Sequence, residues 1–295
     1  MCTAISYING GHYFGRTLDY FIEFGQEVVV MPRRFALGGA GASHYAVCGM
    51  AKVEDGYPLF FDGMNEKGLC MAGLNFKDSA VYLKPKENFR PVAQYELIPL
   101  VLSQCADVKE AVLFLKQSVI TDTAFSEKLP PAPLHWIMAD SEKCVTVEAV
   151  KTGLFIYRND VGVLTNEPPF EEQLKNLERY AHLTPDSPEG ESLGLGGVGL
   201  PGDLSSRSRF VRAVFMKNNS VSGDGLCQFF HIADTVKQIR GCCRVGKGYE
   251  YTQYICCMEA RRGVYHYKTY QSPKIKSIDM NRVNLNSDSI YRFGY

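Results

Sequence analysis

The first seventy residues alternate between apolar and polar positions in short runs, the pattern expected of half-buried β-strands. Gly, Asn, Asp and Pro separate the runs and mark turns between them. The runs read CTAISYI, HYFGRTLDY, QEVVVMP, HYAVCGM, PLFFDG and GLCMAGLNF. The sequence therefore predicts one sheet over residues 2–73.

Between residues 91 and 118 the apolar positions recur with the helical period of 3.6. Tyr95, Ile98 and Leu102 would lie on one stripe, and Asp107 is placed to cap a second helix. Two helices packed on the first sheet are therefore predicted.

Alternating runs return after residue 134, where LHWIMAD, CVTVEAV, GLFIYR and VGVLTN predict a second sheet layer with tight turns at DSEK and VKTG. Further strands are predicted at YEYTQYICCM, GVYHYKTY and IKSIDM, and helices at residues 169–183, 205–217 and 226–240. The one long irregular loop, TPDSPEGESLGLGGVGLPGD, has a length typical of functional or mobile loops. No repeat or linker divides the chain, so a single domain over residues 1–295 is expected.

The composition, with 45% hydrophobic and 22% charged residues, is that of an ordinary globular protein with an ample core. The 32 basic and 32 acidic residues balance and form no dense Lys/Arg block, which argues against binding to nucleic acid or an anionic membrane. The first residues lack the features of a signal peptide, and no apolar run has the length of a membrane span. We therefore expect a cytoplasmic protein that acts on a small molecule.

The ten cysteines show no metal-binding pattern. No Cys-x-x-Cys pair occurs, and the adjacent pairs in GCCR and ICCM lack zinc-ligand spacing. In a reducing compartment such cysteines are expected to be buried small hydrophobic residues. No metal site is predicted.

The chain opens with MCTAI, which puts a cysteine directly after the initiator methionine. Methionine aminopeptidase removes Met1 when the next side chain is small, so Cys2 would become the N-terminus. Its α-amine, with an ordinary pKa of about 7.7–8.0, would then accept the thiol proton and return it to a leaving amine. This is the chemistry of an N-terminal nucleophile, which needs no histidine partner.

An arginine and an aspartate follow in the strand-like run FGRTLD. Alternation places Arg16 and Leu18 on one face and Thr17 and Asp19 on the other, unless the strand ends or bulges near Asp19. A guanidinium close to Cys2 would favour the thiolate, and a carboxylate would hold the amine. The alternative is that both charges are solvated or pair with other surface groups, and that Cys2 is an ordinary buried cysteine.

Eight segments resemble, in order, the successive motifs of the cholylglycine hydrolase family, which contains bile salt hydrolases and penicillin V acylases. They read MCTAI, YFGRTLDY, DGMNEKGLCMAGLNF, LHWIMAD, VGVLTNEPPF, GVGLPGDLSSRSRFVRA, FFHI and YTQYICC, and they cover nearly the whole chain. The resemblance implies an α+β fold, the αββα four-layer sandwich of two antiparallel sheets found in N-terminal nucleophile hydrolases. It also implies amide hydrolysis with no metal or organic cofactor.

The resemblance further implies roles for individual residues. Cys2 would be the nucleophile, with Arg16 and Asp19 beside it. The side-chain amide of Asn166 and the backbone N–H of Asn75 would form an oxyanion hole for the tetrahedral intermediate.

Arg209 would adjust the electrostatics around the nucleophile by the same resemblance. From the residues alone, a solvated basic helix face is the usual interpretation for Arg209, and Arg207 and Arg212 keep it. Asn75 and Asn166 follow strand patterns, where Asn commonly marks a turn.

The third motif bears on the substrate. Bile salt hydrolases tend to carry Asn after GL where penicillin V acylases tend to carry Tyr, and this chain reads AGLNF. Glycine- and taurine-conjugated bile salts are therefore the expected substrates, and burial of their steroid surface would supply most of the recognition. Candidate residues for that surface, each equally compatible with an ordinary core position, are Tyr20, Phe21, Ile22, Phe24 and Phe76.

Other functions stay open at this point. Within the same chemistry the chain would be a penicillin V acylase or another N-acyl amide hydrolase, such as one acting on acyl-homoserine lactones. In a different class it would be a silent binder of amphipathic ligands. Many family members are tetramers, so a homotetramer is expected, although the long loop is shorter here than the loop that helps tetramers assemble.

Overall fold

The computed structural model describes residues 1–38, 41, 43–187, 193–221 and 223–295. Part of the predicted long loop, residues 188–192, lies outside the described residues. Strands and α-helices are numbered below in chain order.

The first of two large sheets has seven antiparallel strands. They are β1 (Cys2–Ile8), β2 (His12–Tyr20), β13 (Val163–Leu164), β14 (Cys243–Val245), β15 (Gly248–Glu259), β16 (Val264–Thr269) and β17 (Lys276–Asp279). The spatial order is β13-β1-β2-β15-β16-β17, and β14 pairs with β15. The hairpin β1–β2 therefore lies inside the sheet, with a strand on each side.

The second large sheet has nine antiparallel strands. They are β3 (Glu27–Met31), β4 (Val47–Glu54), β5 (Tyr57–Phe60), β6 (Asp62–Asn65), β7 (Cys70–Asn75), β10 (Leu134–Ala139), β11 (Cys144–Val150), β12 (Gly153–Arg158) and β18 (Tyr291–Phe293). The order is β12-β11-β10-β7-β6-β4-β3-β18, and β5 pairs with β4. A separate parallel pair joins β8 (Arg90–Ala93) to β9 (Ser118–Thr121).

The prediction of one sheet over residues 2–73 is wrong, because β1 and β2 belong to the seven-stranded sheet and β3 to β7 to the other. Alternation fixes which side of a strand is buried, but it does not encode which strand becomes its neighbour. The second sheet layer is present, and its strands β10 to β12 continue the sheet of β3 to β7.

Helices cover both outer faces. They are α1 (Leu97–Gln104), α2 (Val108–Lys116), α3 (Phe170–Glu178), α4 (Ser206–Asn219) and α5 (Gly225–Asp234). Apolar side chains of α1 and α2 pack on the nine-stranded sheet, and those of α4 and α5 pack on the seven-stranded sheet. The four layers confirm the predicted α+β sandwich.

The helix boundaries show where tertiary contacts override periodicity. Asp107 caps α2 as predicted and accepts a hydrogen bond of 2.8 Å from the Glu110 N–H. Helix α5 ends at Asp234 rather than near residue 240. Beyond it Gln238 pairs with Thr252 of β15, donating its N–H to Oγ1 at 2.8 Å and accepting the Thr252 N–H at 3.1 Å.

Strands β2 and β15 approach each other closely at Gly15. A Cβ atom at this position would lie 1.9 Å from the carbonyl oxygen of Cys256, so only glycine fits. This contact brings the backbones of β2 and β15 together one residue before Arg16, the first charged position of the run FGRTLD.

Candidate active site

The register of β1 and β2 decides which side chains face the interior of the sandwich. Cys2 lies opposite Leu18 and Thr3 lies opposite Thr17. Opposite residues of an antiparallel pair share a face, so Cys2, Leu18 and Arg16 point toward the nine-stranded sheet. Asp19 lies on the other face, toward the helices, as strand alternation predicted.

Arg16 spans the gap between the sheets and is almost completely buried. Its Nη1 donates hydrogen bonds to the carbonyl oxygens of Phe61 at 3.2 Å and Gly73 at 2.5 Å, both on the nine-stranded side. Burial alone lowers the pKa of this guanidinium, but attraction from Cys2 and from nearby acidic groups raises it above its usual range. Arg16 therefore remains cationic beside Cys2.

Asp62 lies beyond Arg16 and was not singled out from the sequence, although it stands inside the motif DGMNEKGL. The carboxylate is fully buried and accepts hydrogen bonds from the Tyr254 hydroxyl at 2.5 Å and the Tyr265 hydroxyl at 2.7 Å. Burial raises its pKa, while Arg16 and the two tyrosines oppose that change. A charged residue inside an apolar strand pattern was the signal that would have identified it.

Asp19 is held by three donors on the helix side. Thr252 Oγ1 donates to Oδ1 at 2.6 Å, and Thr17 Oγ1 and Gln238 Nε2 donate to Oδ2 at 3.1 and 3.4 Å. A β-bulge in β15, between Thr252 and Tyr254, lies opposite this end of β2. A bulge locally twists a strand and redirects its side chains, which brings Thr252 to the carboxylate.

Arg209 reaches the backbone of Cys2 from α4 and is fully buried. Its Nη1 donates to the carbonyl oxygen of Cys2 at 2.6 Å and to Thr3 Oγ1 at 2.7 Å, and it lies 4.0 Å from Asp19 Oδ2. Burial lowers the pKa of Arg209, and the nearby charges of Asp19 and Cys2 oppose this change. The alternative of a solvated face does not hold for Arg209.

Arg212 is also buried, which corrects the prediction that it is solvated. It donates from Nε to the Thr235 carbonyl at 2.7 Å and from Nη1 to the Pro201 carbonyl at 2.6 Å. Residues three apart share a helix face, so the burial of Arg209 carries Arg212 inward with it. Arg207 is exposed as predicted and pairs with Glu172.

Asn166 connects Cys2 to the strand that carries Asn75. Its Oδ1 accepts hydrogen bonds from the backbone N–H of Cys2 at 2.7 Å and from Arg209 Nη2 at 2.8 Å. Its Nδ2 donates to the carbonyl oxygen of Asn75 at 2.8 Å. This leaves one N–H of the Asn166 amide without an assigned acceptor among the described residues.

Asn75 ends β7, and its backbone N–H is a second donor group near the Asn166 amide. The N–H of Phe76 points toward β10 and donates to the carbonyl oxygen of Pro133 at 2.8 Å. Backbone N–H groups of successive residues in a strand point to opposite sides, so the Asn75 N–H points away from β10, toward the side of β7 on which β6 no longer pairs with it. The side-chain Oδ1 of Asn75 is buried and has no hydrogen-bond partner within the described part of the chain. The structure thus brings five predicted residues, Arg16, Asp19, Asn75, Asn166 and Arg209, around Cys2.

The motif and the arrangement agree with a comparison to known proteins. The model of the linear amide C–N hydrolases, choloylglycine hydrolase family, matches residues 2–293. The chain belongs to the choloylglycine hydrolase family. It is therefore an enzyme of the linear amide C–N hydrolase class, and the alternative of a silent binder falls away.

Curated members of the family resemble it over their full length. The bile salt hydrolase/transferase of Lactiplantibacillus plantarum is 42% identical over 99% of this chain and 96% of its own. The protein of the same name from Clostridium perfringens is 37% identical over 100% of this chain and 97% of its own.

Solved structures of choloylglycine hydrolase relatives show the same fold. A variant of the conjugated bile acid hydrolase from Clostridium perfringens superposes with a TM-score of 0.93 at 36% identity and covers 100% of this chain and 97% of that one. Penicillin V acylase from Agrobacterium tumefaciens, at 23% identity, gives a TM-score of 0.81 over 99% and 91% of the chains. The second likeness concerns the fold alone.

Four of the five predicted substrate-binding residues lie together in sequence at the end of β2 and directly after it. The ring centroids of Tyr20 and Phe21 lie 4.7 Å apart, and those of Tyr20 and Phe24 lie 5.1 Å apart. Phe21 is 40% exposed and Ile22 is 51% exposed, so the patch offers apolar surface. Phe76 lies elsewhere, fully buried and stacked on His135 at 4.2 Å.

The exposure of the cysteines agrees with the sequence-based prediction at six positions and differs from it at two. Cys2, Cys48, Cys70, Cys105, Cys256 and Cys257 are buried as expected, whereas Cys227 and Cys242 are exposed, which corrects the prediction for these two.

Among the described residues, no group of three or more His, Cys, Asp or Glu side chains is placed to hold a metal ion. No helix in the described ranges combines the length and apolar character needed to cross a membrane.

Proposed function

We propose that this enzyme hydrolyses the amide bond of glycine- and taurine-conjugated bile acids, with Cys2 as the nucleophile. The observation that carries the proposal is the 2.7 Å contact between the Cys2 backbone nitrogen and Asn166 Oδ1, in a chain whose relatives are named for bile salts. Removal of Met1 would make that nitrogen a free amine, already positioned beside its own thiol.

In the first step the α-amine of Cys2 accepts the thiol proton, and the sulfur attacks the substrate carbonyl carbon. Arg16 supports this step because it lies on the same strand face as Cys2 and is cationic. A nearby positive charge stabilises the thiolate relative to the thiol.

The oxygen of the tetrahedral intermediate is stabilised by the free N–H of the Asn166 amide and the backbone N–H of Asn75. Donors fixed before the reaction are effective because they need no reorganisation when charge develops. Asn166 is fixed by Arg209 and by the carbonyl oxygen of Asn75.

The intermediate collapses when the C–N bond breaks and the ammonium of Cys2 returns its proton to the leaving amine. The acyl group remains on sulfur as a thioester, and water, deprotonated by the same amine, releases the bile acid. Arg209 and Asp19 act as positioning residues. Arg209 donates a hydrogen bond to the backbone of the nucleophile, and Asp19 lies close enough to Arg209 to balance its charge.

The patch of Tyr20, Phe21, Ile22 and Phe24 is proposed to receive the steroid. Burial of apolar surface contributes about 25 cal/mol per Å², so the exposed faces of Phe21 and Ile22 are well suited to it. Phe76 would act indirectly through the position of Asn75, its neighbour in sequence.

Three further proposals are a single domain over residues 1–295, because no repeat or linker divides the sequence, a cytoplasmic location, because the first residues lack the features of a signal peptide, and a homotetramer, because many family members are tetramers. Light scattering after gel filtration tests the last. A tetramer would elute with about four times the chain mass of 33.0 kDa. A mass near that of one chain would refute it.

The proposed activity is tested by amine release from glycocholate, taurocholate and penicillin V. The wild-type protein, with loss of Met1 verified by mass, is compared with Cys2→Ala. We expect Cys2-dependent release from both bile salts, well above release from penicillin V. Preferential cleavage of penicillin V would overturn the substrate, and full activity in Cys2→Ala would overturn the mechanism.

A further inference from the structure

Met1 continues strand β1 by one residue and pairs with Asp19 of β2. Its N-terminal ammonium donates to the Asp19 carbonyl oxygen at 2.6 Å, and its carbonyl oxygen accepts the Asp19 N–H at 2.9 Å. This pair follows directly on the pair Cys2 and Leu18 in the register of the hairpin. Met1 is thus held as an element of the sheet.

Glu250 of β15 provides a third contact to the same residue. Its Oε1 lies 3.0 Å from the Met1 ammonium, and its side chain is only 8% exposed. The other groups that face this carboxylate are Cys243, whose Sγ lies 4.0 Å from Oε2, and, at longer range, Arg209 and Tyr20. In the part of the chain that the structure describes, the Met1 ammonium is the only cation within 4 Å of Glu250.

Removal of Met1 would leave three groups without their present partners: the Asp19 N–H, the Asp19 carbonyl oxygen and the Glu250 carboxylate. Leaving a buried carboxylate without a partner is costly, so this position favours a cationic group. The contacts to Met1 are made by its ammonium and its carbonyl oxygen, which belong to one α-amino acid unit. A group that replaces Met1 with the same contacts therefore needs an ammonium and an acceptor oxygen joined by only two carbon atoms.

We propose that the place of Met1 becomes, in the processed enzyme, a subsite for a free α-amino acid. The ammonium of the amino acid would bind Glu250 and the Asp19 carbonyl, and one carboxylate oxygen would accept the Asp19 N–H. The second oxygen would face the α-ammonium of Cys2. Because this subsite adjoins the nucleophile, the inference rests on the proposed function and names the product that the enzyme retains.

The subsite distinguishes product from substrate. The nitrogen of an amide substrate carries no charge, whereas the released glycine carries an ammonium, so Glu250 would hold glycine only after the C–N bond has broken. In taurine and β-alanine one more carbon separates the ammonium from the anionic group. These two compounds match the place of Met1 less well than glycine does.

Binding is measured by isotope-edited NMR titration of labelled glycine into processed Cys2→Ala, which keeps a small second residue and does not turn over. We expect saturable binding of glycine, and binding weaker by about tenfold or more for N-acetylglycine, which lacks the ammonium. Taurine is expected to fall between them. Equal binding of glycine and N-acetylglycine, or no binding of glycine, would overturn the subsite.

Two protein controls locate the site. Adding Glu250→Gln to Cys2→Ala is expected to weaken glycine binding by about tenfold or more, whereas adding Glu259→Gln, at the far end of β15, leaves it unchanged. Protein that retains Met1, made with methionine aminopeptidase inhibited, is expected not to bind glycine. Binding by that protein would refute the proposal.

The two proposals fail separately in these experiments. Glycine binding to Cys2→Ala requires no bile salt and no catalysis. If glycocholate is not hydrolysed while glycine still binds through Glu250, the substrate is wrong and the subsite stands.

Discussion

The two ends of the hairpin β1–β2 differ in how many hydrogen-bond and charge partners their buried polar side chains have. At the open end, Asp19 is fully buried, accepts three side-chain hydrogen bonds and lies 4.0 Å from the Arg209 guanidinium. At the turn, His12 is 5% exposed and has one partner, Ser6 Oγ at 3.1 Å. Its Nδ1 has no partner among the residues that the structure describes.

The consequence is a difference in charge. Burial lowers the pKa of His12 to about 4, against a smaller opposing effect of Asp140, so this imidazole is neutral at physiological pH. Asp19, Arg209 and Arg16 are buried as deeply, but each has hydrogen-bond partners and a countercharge. The depth of burial alone therefore does not decide whether a side chain in or beside this hairpin is charged. The number of hydrogen-bond and charge partners around it decides this.

The largest expected effect comes from removing the charge at the open end. Asp19→Asn keeps the volume but leaves Arg209 buried without its nearest carboxylate, which we expect to lower the free energy of unfolding by about 3–5 kcal/mol. The exposed pair of Asp160 and Arg158 is the control, and Asp160→Asn should cost less than about 1 kcal/mol. Urea unfolding measures both, and equal losses would show that burial of the pair is unimportant.

Catalysis is expected to depend on the open end only. Asn166→Ala removes the side-chain donor to the intermediate and should lower kcat for glycocholate by about 100- to 1000-fold, or ~2.7–4 kcal/mol. His12→Gln, at the turn, should leave kcat within about twofold, since it touches no reacting atom. A large loss of kcat in His12→Gln, with an unchanged unfolding midpoint, would contradict the division between the two ends.

The neutral histidine predicts how stability depends on pH. An unfolded imidazole binds its proton near pH 6.5 and the folded one near pH 4, so the unfolded chain holds more protons between these values. Stability is thus complete above pH 6.5 and falls as the pH drops toward 4, by up to about 3 kcal/mol. Urea unfolding at several pH values should show this slope in the wild type and in His231→Gln, which alters an exposed histidine, and a clearly smaller slope in His12→Gln.

The smallest effects come from removing one hydroxyl group at each end of the hairpin. Thr252→Val removes the hydroxyl that donates to the Asp19 carboxylate and accepts the Gln238 N–H, and should cost about 1.5–3 kcal/mol of unfolding free energy. Ser6→Ala removes the partner of neutral His12 and should cost about 0.5–1.5 kcal/mol. If Ser6→Ala proves the more costly in urea unfolding, the distinction between charged and neutral ends is wrong.

Local pattern predicted the hairpin well. The bounds of β1 and β2 match the runs CTAISYI and HYFGRTLDY, and alternation correctly separated Arg16 from Asp19. Both results depend on neighbours within a few residues, which is the information that a strand pattern contains. The motifs that resemble the family supplied the layer arrangement, which alternation could not.

Residues far apart in the chain complete the surroundings of Cys2, and the sequence did not identify them. Asp62, Gln238 and Thr252 come from β6, from the segment after α5 and from a bulged position in β15. Gln238 and Thr252 became recognisable only once the fold brought them beside Asp19, whereas Asp62 was marked in the sequence by its charge inside an apolar strand pattern. Arg212 differs, because its spacing of three from Arg209 was visible in the sequence and would have predicted its burial.

The position of β2 between β1 and β15 also constrains how the protein is made. Residues 12–20 leave the ribosome long before their neighbour at residues 248–259, and pairing over such separations is slow. Strand β2 therefore lacks its partner β15 while the residues between them are synthesised. During that interval the Met1–Cys2 bond is open to an aminopeptidase, whereas in the finished sheet Met1 is paired with Asp19. We therefore expect Met1 to be removed from the nascent chain, before β1 is paired in the finished sheet.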